Sequence, residues 1–209
     1  MESNYDKQAL NARGLFLGYD QEAIIEKFGL EHDEAYLYLA FIGDRCRISR
    51  QTGAVEALTE AGEFEACNQF NVVMSIYDAL CYPEKTPQLS GQWCPLYSLQ
   101  VTMSSPDSEL FHQGYADAFA GNADRLWRAC RELGAVPLPL SAGADVCCRI
   151  EIFPFFSILF RFWDADDEFP AKIQILWDRN SLQFLHFETL YYVMGPLLSK
   201  LKRLYYSIP

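Results

Sequence analysis

RIEIFPFFSILFRFWDADDEFPAKIQILWDRNSLQFLHFETLYYVMG, residues 149–195, carries the clearest period in the chain. From Phe156 to Trp163 the side chains alternate: Phe156, Ile158, Phe160 and Phe162 share one face, and Ser157, Leu159, Arg161 and Trp163 share the other. After the acidic connection from Asp164 to Glu168, Lys172 to Trp177 repeats the pattern, with Ile173, Ile175 and Trp177 opposed to Lys172, Gln174 and Leu176. Two such runs joined by a short polar loop predict an antiparallel pair. A turn at Asp178–Ser181 then leads into a third predicted strand, Leu182–Phe187, completing a meander. Burying the four apolar side chains of the first run, at roughly 1.5–3 kcal/mol each, is a large share of an ordinary domain's net stability. The rest of the chain must therefore cover this face.

Working outward, Val146–Ile152 reads as a strand bent into the meander by Phe153 and Pro154, and the chain closes in a helix starting near Glu188 and kinked at Pro196. Asn122 is a suitable N-cap for a helix over Ala123–Leu133, and a companion helix is predicted over Asp107–Ala120. Val136–Leu140, with Pro137 and Pro139, fits only an edge. Nearer the start, a short helix over Asn4–Asn11 is followed by one capped by Asp20 and stopped by Gly29. Tyr36–Ile42 and Arg45–Arg50 flank a Gly43-Asp44 turn, which predicts a hairpin. Apolar residues at helical spacing predict a helix over Glu63–Cys81, and the proline-punctuated stretch from Tyr82 to Tyr97 reads as a long loop. Runs of helices, a hairpin, more helices and a meander describe one α+β domain over residues 1–209, an antiparallel sheet with a C-terminal β-meander packed against helices.

Composition narrows the function. The 209 residues carry a formal net charge of −11, whereas proteins that bind phosphate backbones or anionic membrane surfaces need a basic footprint. Neither a nucleic acid nor a membrane is expected as a partner. Seven scattered cysteines, with no C-x-x-C pair, and a start lacking a basic segment followed by an apolar one fit reduced thiols in a cytoplasmic protein. There is no phosphate-binding glycine loop, nucleophile elbow or H-E-x-x-H helix.

Two groups of residues remain as candidate sites. Asp164, Asp166, Asp167 and Glu168 crowd one loop between Trp163 and Phe169, but the calcium-loop spacing is not met. With Trp93 from the proline-rich loop folded over the meander's end, Trp93 and Trp163 are expected to line one cleft for a ligand or protein partner. The bland account is a solvated hairpin connection with aromatics over the strand ends. The second group is His186, Glu188 and Asp178. On a continuing strand His186 and Glu188 share a face and suit proton transfer or a divalent metal, against a helix-terminal Glu188 and a hydrogen-bonded surface histidine. The reading that follows is a binding or accessory domain without a catalytic motif. A small-molecule enzyme or metal-binding protein using His186, Glu188 and Asp178 is the alternative. No cofactor is specified.

The block LSGQW at 89–93, the segment FPFFSILFRFWDADDEFP and the following QILWDRNSLQFLHFETLYYVMG resemble the uncharacterised bacterial family known as domain of unknown function 3786. The most specific parts are the W-x-x-x-D-E-F-P loop at 163–170 and the H-F-E-T start of the last helix. The resemblance implies a bacterial, anaerobic, cytoplasmic setting and no particular activity. Some similar proteins carry an additional cysteine cluster of iron–sulfur type, and this chain departs from them in having no four closely spaced cysteines.

Overall fold

In the computed structural model, which describes residues 4–99, 108–140 and 143–208, helices accompany two antiparallel five-stranded sheets, an α+β architecture. The chain divides into two compact units. The first comprises Met1–Gln88, Phe153–Phe155 and Leu182–Pro196, and the second Leu89–Ile152, Phe156–Ser181 and Leu197–Pro209.

In the first unit, α1 (Asn4–Gly18) runs a full turn and more past the predicted end at Asn11. Asp20 caps α2 (Gln21–Phe28) by accepting from the Ala23 amide, and Gly29 ends it at φ 60°. The sheet is a simple meander of β1 (Glu31–His32), β2 (Tyr36–Phe41), β3 (Asp44–Ser49), β4 (Val55–Leu58) and β5 (Phe64–Ala66). The predicted hairpin is β2–β3, but Phe41 pairs with Asp44, so Ile42 and Gly43 are the turn residues. Both have positive φ, 50° and 76°, and Ile42 holds a conformation unfavourable for a β-branched residue while buried at 2% exposure. The helix predicted from Glu63 begins only at Phe70, as α3 (Phe70–Cys81). Phe64–Ala66 instead pairs with β4, and the Phe64 ring covers the Arg47 guanidinium at 4.1 Å from its centroid. Local apolar spacing suits either period there, and cross-strand contacts decide it. Phe41, Phe153, Phe155, Phe28 and Phe184 make a continuous run of ring contacts through this unit.

The second unit holds a sheet of order β6-β10-β9-β8-β7, from β6 (Trp93–Pro95), β7 (Val136–Pro137), β8 (Val146–Phe153), β9 (Phe156–Trp163) and β10 (Lys172–Asp178). Ile173, Ile175 and Trp177 pair with Phe162, Phe160 and Ile158, which joins the apolar halves of both strands into one face. Phe156, Ile158, Phe160 and Phe162 are all 0% exposed. Helix α4 (Ser108–Phe119) packs on β10, and its Phe119 ring meets Phe162. The predicted start of that helix at Asp107 lies outside the described residues. Asn122 caps α5 (Ala123–Glu132) as expected, and β7 is an edge.

Two expectations fail here. The long loop gives β6 to the sheet edge, and the third meander strand, Leu182–Phe187, does not form. A 3₁₀ turn over Ser181–Gln183 takes its place, and α6 (Phe187–Ser207) starts after Phe184, Leu185 and His186. Phe184 and Leu185 are buried by sequence-local turning, so their hydrophobicity satisfies the core without strand pairing.

Candidate functional site

The sheet face opposite the phenylalanines carries the chemistry of the second unit. Leu159, Arg161 and Trp163 of β9 lie beside Leu176, Gln174 and Lys172 of β10 by register. At one end of β10 this face is greasy: Trp93 and Leu138 pack on Cys147, Leu159 and Leu176. At the other end it opens into a cavity of about 970 Å³ whose lining includes Arg161, Trp163, Lys172 and Gln174, with His112 and Gln113 from α4. Trp93 pairs with Asp178 and Trp163 with Lys172, so the two indoles sit six residues apart along β10, about 20 Å at strand spacing. The expected shared cleft does not form. Trp163 lines the cavity, and Trp93 closes the apolar end.

The acidic loop is on the cavity's rim in part only. Asp164 and Asp166 line it, together with Phe169; Asp167 and Glu168 are exposed and do not. The carboxylates that line it are engaged by amides. Asp164 Oδ1 accepts from the Gly121 and Ala165 amides at 2.6 and 2.8 Å, and Asp145 Oδ2 accepts from the Asp164 amide at 2.7 Å. Asp166 Oδ1 accepts from Glu168 and Phe169, which holds its carboxyl below the usual range. These are loop-building bonds. Arg161 differs: among the described residues its one hydrogen bond is long, 3.4 Å, from Nη1 to the neutral Gln174 amide oxygen, and its buried Nε has no partner. A buried guanidinium N–H without an acceptor costs free energy.

Asp178, expected as a metal ligand, has another role. It is 0% exposed and accepts four hydrogen bonds, from the Ser90 amide and hydroxyl and the Asn180 amide on Oδ1 and from the Gly91 amide on Oδ2, at 2.7–2.9 Å. Burial pushes its carboxyl pKa up, but the bonds from Ser90, Asn180 and Gly91 outweigh burial and leave it below the ordinary value. The positive φ of Gly91, 71°, lets consecutive amides converge on one carboxylate. The quoted LSGQW block and the WDRN turn are thus two halves of one anchor that fastens β6 to β10.

The other two residues of that trio belong to the first unit. His186 precedes α6 instead of continuing a strand, so the shared-face argument with Glu188 does not apply. Its ring Nδ1 lies 2.6 Å from Asp78 Oδ1, its backbone amide donates to Asp78 Oδ2 at 2.8 Å, and the Tyr82 ring sits over it at 3.8 Å. His186, Asp78 and Glu188 line a cavity of about 1220 Å³. Asp78 was not legible as a partner because 108 residues separate it from His186. The tie is made by the packing of α3, not by any spacing in the chain. Among the described residues no group of three or more His, Cys, Asp or Glu side chains converges as a metal site needs, and all seven cysteines are free thiols.

The model of one protein family, described as Domain of unknown function (DUF3786), matches residues 20–200. No curated protein and no solved structure matches the chain significantly. Because that match spans most of the length, including the Asp178 anchor, the Trp163–Pro170 loop and the His186 turn, the chain belongs to the DUF3786 family.

Proposed function

We propose that this member of the DUF3786 family is a binding domain of the bacterial cytoplasm whose second unit takes a small, planar carboxylate or phosphate in the Arg161 cavity. The carrying observation is Arg161 itself, a half-buried guanidinium with an unpartnered Nε beside an indole. In an aqueous cavity an arginine recognises an oxyanion through two parallel bonds, and Trp163 offers a flat surface for the ligand's body. Among the described residues Asp164 and Asp166 each turn Oδ1, and Asp145 turns Oδ2, to backbone amides, and none of the three is bonded to the guanidinium. The same rim disfavours large polyanions, which agrees with a net charge of −11 and with the absence of nucleic acid or membrane among the proposed partners. Free thiols at all seven cysteines support a reducing compartment. Among the described residues no helix is long and apolar enough to cross a membrane.

Titration of the protein with benzoate and with phenyl phosphate, followed by tryptophan fluorescence and calorimetry, tests this reading. Saturable binding is expected, weakened about 10–100-fold by Arg161→Gln, the equivalent of one charge-assisted contact of about 1.5–3 kcal/mol. Equal binding by the wild type and the variant, or none by either, overturns it.

A further inference from the structure

The cavity of the first unit contains a histidine whose orientation is set three ways. Asp78, on α3, spends both carboxylate oxygens on His186, one on the ring and one on the backbone amide, and Tyr82 covers the ring. The Asp78 side chain is 13% exposed and that of His186 is 56% exposed, so the anchoring side of the imidazole is sheltered and the far side is open. An ionised carboxylate has no proton to give. In the neutral ring Nδ1 must therefore carry the hydrogen, and the lone pair lies on Nε2. A carboxylate behind Nδ1 also stabilises the imidazolium once Nε2 has taken a proton.

The rest of the cavity suggests what meets Nε2. Leu15, Tyr19, Pro83, Pro87 and Leu182 supply apolar walls, and the charges nearby nearly balance: Lys27 from α2, Glu84 and Lys85 from the loop after α3, and Glu188 from α6. The Lys27 ammonium is bonded to the Pro83 carbonyl. Cys81 also lines the cavity, but burial pushes its thiol up to about 12, which removes it as a competing thiolate at neutral pH. Such a site favours a small, flat, weakly charged molecule over a polyanion.

We infer that Asp78 and His186 form a general-base pair in which Nε2 takes a proton from a small, weakly charged molecule that enters this cavity. His186 is the catalytic residue and Asp78 its positioning residue. In the step, the electron pair of the broken bond to hydrogen stays with the substrate as Nε2 gains the proton, and the imidazolium later returns that proton to water or product; no oxidant or co-reactant is consumed. The inference stands on the first unit alone, and its outcome is independent of ligand binding at Arg161.

The probe is 5-nitrobenzisoxazole. Loss of its ring C–H proton breaks the N–O bond, forms a nitrile and releases a coloured phenolate. The wild-type protein is expected to turn it over about 100-fold faster than His186→Gln, in the range usual for a positioned base. Asp78→Asn is expected to lower kcat about 10-fold. Nitrogen NMR of His186 gives a readout separate from turnover: the Nδ1–H tautomer in the wild type, and a mixture in Asp78→Asn. Should His186→Gln fail to fold, carbethoxylation of the wild type answers the same question, because modification of His186 among the three histidines must abolish turnover in step. Equal rates in wild type and His186→Gln, turnover that survives modification of His186, or an Nε2–H tautomer in the wild type overturns the proposal.

Discussion

Replacing Asp178 by asparagine changes one oxygen to an amino group inside a fully buried anchor, and the cost follows from the bonds it makes. Three donors meet Oδ1 and one meets Oδ2, all at 2.7–2.9 Å. In the better rotamer of the amide, its oxygen keeps the Ser90 and Asn180 contacts, each weakened from a charge-assisted bond of about 1.5–3 kcal/mol to a neutral one of about 1. The amino group then faces the Gly91 amide donor-to-donor at a position where 2.7 Å separated acceptor from donor, which leaves that N–H unsatisfied at about 1–3 kcal/mol. The neutral side chain escapes the desolvation of a carboxylate, which offsets part of the total. The net expectation is a loss of about 3 kcal/mol. Urea unfolding followed by tryptophan fluorescence measures it directly, because all four tryptophans, at 93, 127, 163 and 177, lie in the second unit. The pH dependence has a fixed sign. A folded pKa held below the ordinary value makes the carboxylate's contribution complete above the unfolded value of about 3.9, and the contribution fades as pH falls through the folded one. The gap between wild type and Asp178→Asn should therefore be constant from about pH 5 to 7 and close below about pH 4. A gap under about 1 kcal/mol at pH 7, or one that widens in acid, refutes the anchor.

Phe160→Ala, at the middle of the buried β9 face, is expected to cost about 3–5 kcal/mol by leaving a cavity in rigid surroundings, read as a shift in the urea midpoint. Gly53 has φ +71°, and an added Cβ meets Arg13 Cγ at 2.9 Å. Gly53→Ala should accordingly destabilise by about 1–3 kcal/mol, whereas Gly62→Ala, also at positive φ but with open space around it, should cost less. Thiol titration at pH 8 should proceed slowly on the native protein, whose Cys46, Cys94, Cys130, Cys147 and Cys148 are buried and whose Cys81 is pushed up to about 12, and should reach seven equivalents only after unfolding. Rapid native reaction of Cys81 contradicts the burial assigned to it.

What the chain's own pattern determined is local and periodic. The alternation from Phe156 to Trp177, the caps at Asp20 and Asn122 and the stop at Gly29 all appear where the residues put them, because each depends on neighbours within a turn or a pleat. Those signals suffice for an α+β class and a meander core. They fail where two periods fit the same apolar residues: at Phe64–Ala66, where pairing with Val55–Leu58 makes a strand, and at Leu182–Phe187, where a local turn takes the strand's place. The candidate sites lay beyond local reach altogether. Asp178 and His186 were visible as chemically able residues, but their partners, Ser90 and Asp78, stand 88 and 108 residues away. A carboxylate anchors a loop or orients a histidine according to which donors packing brings to it, and that is a property of the folded chain alone.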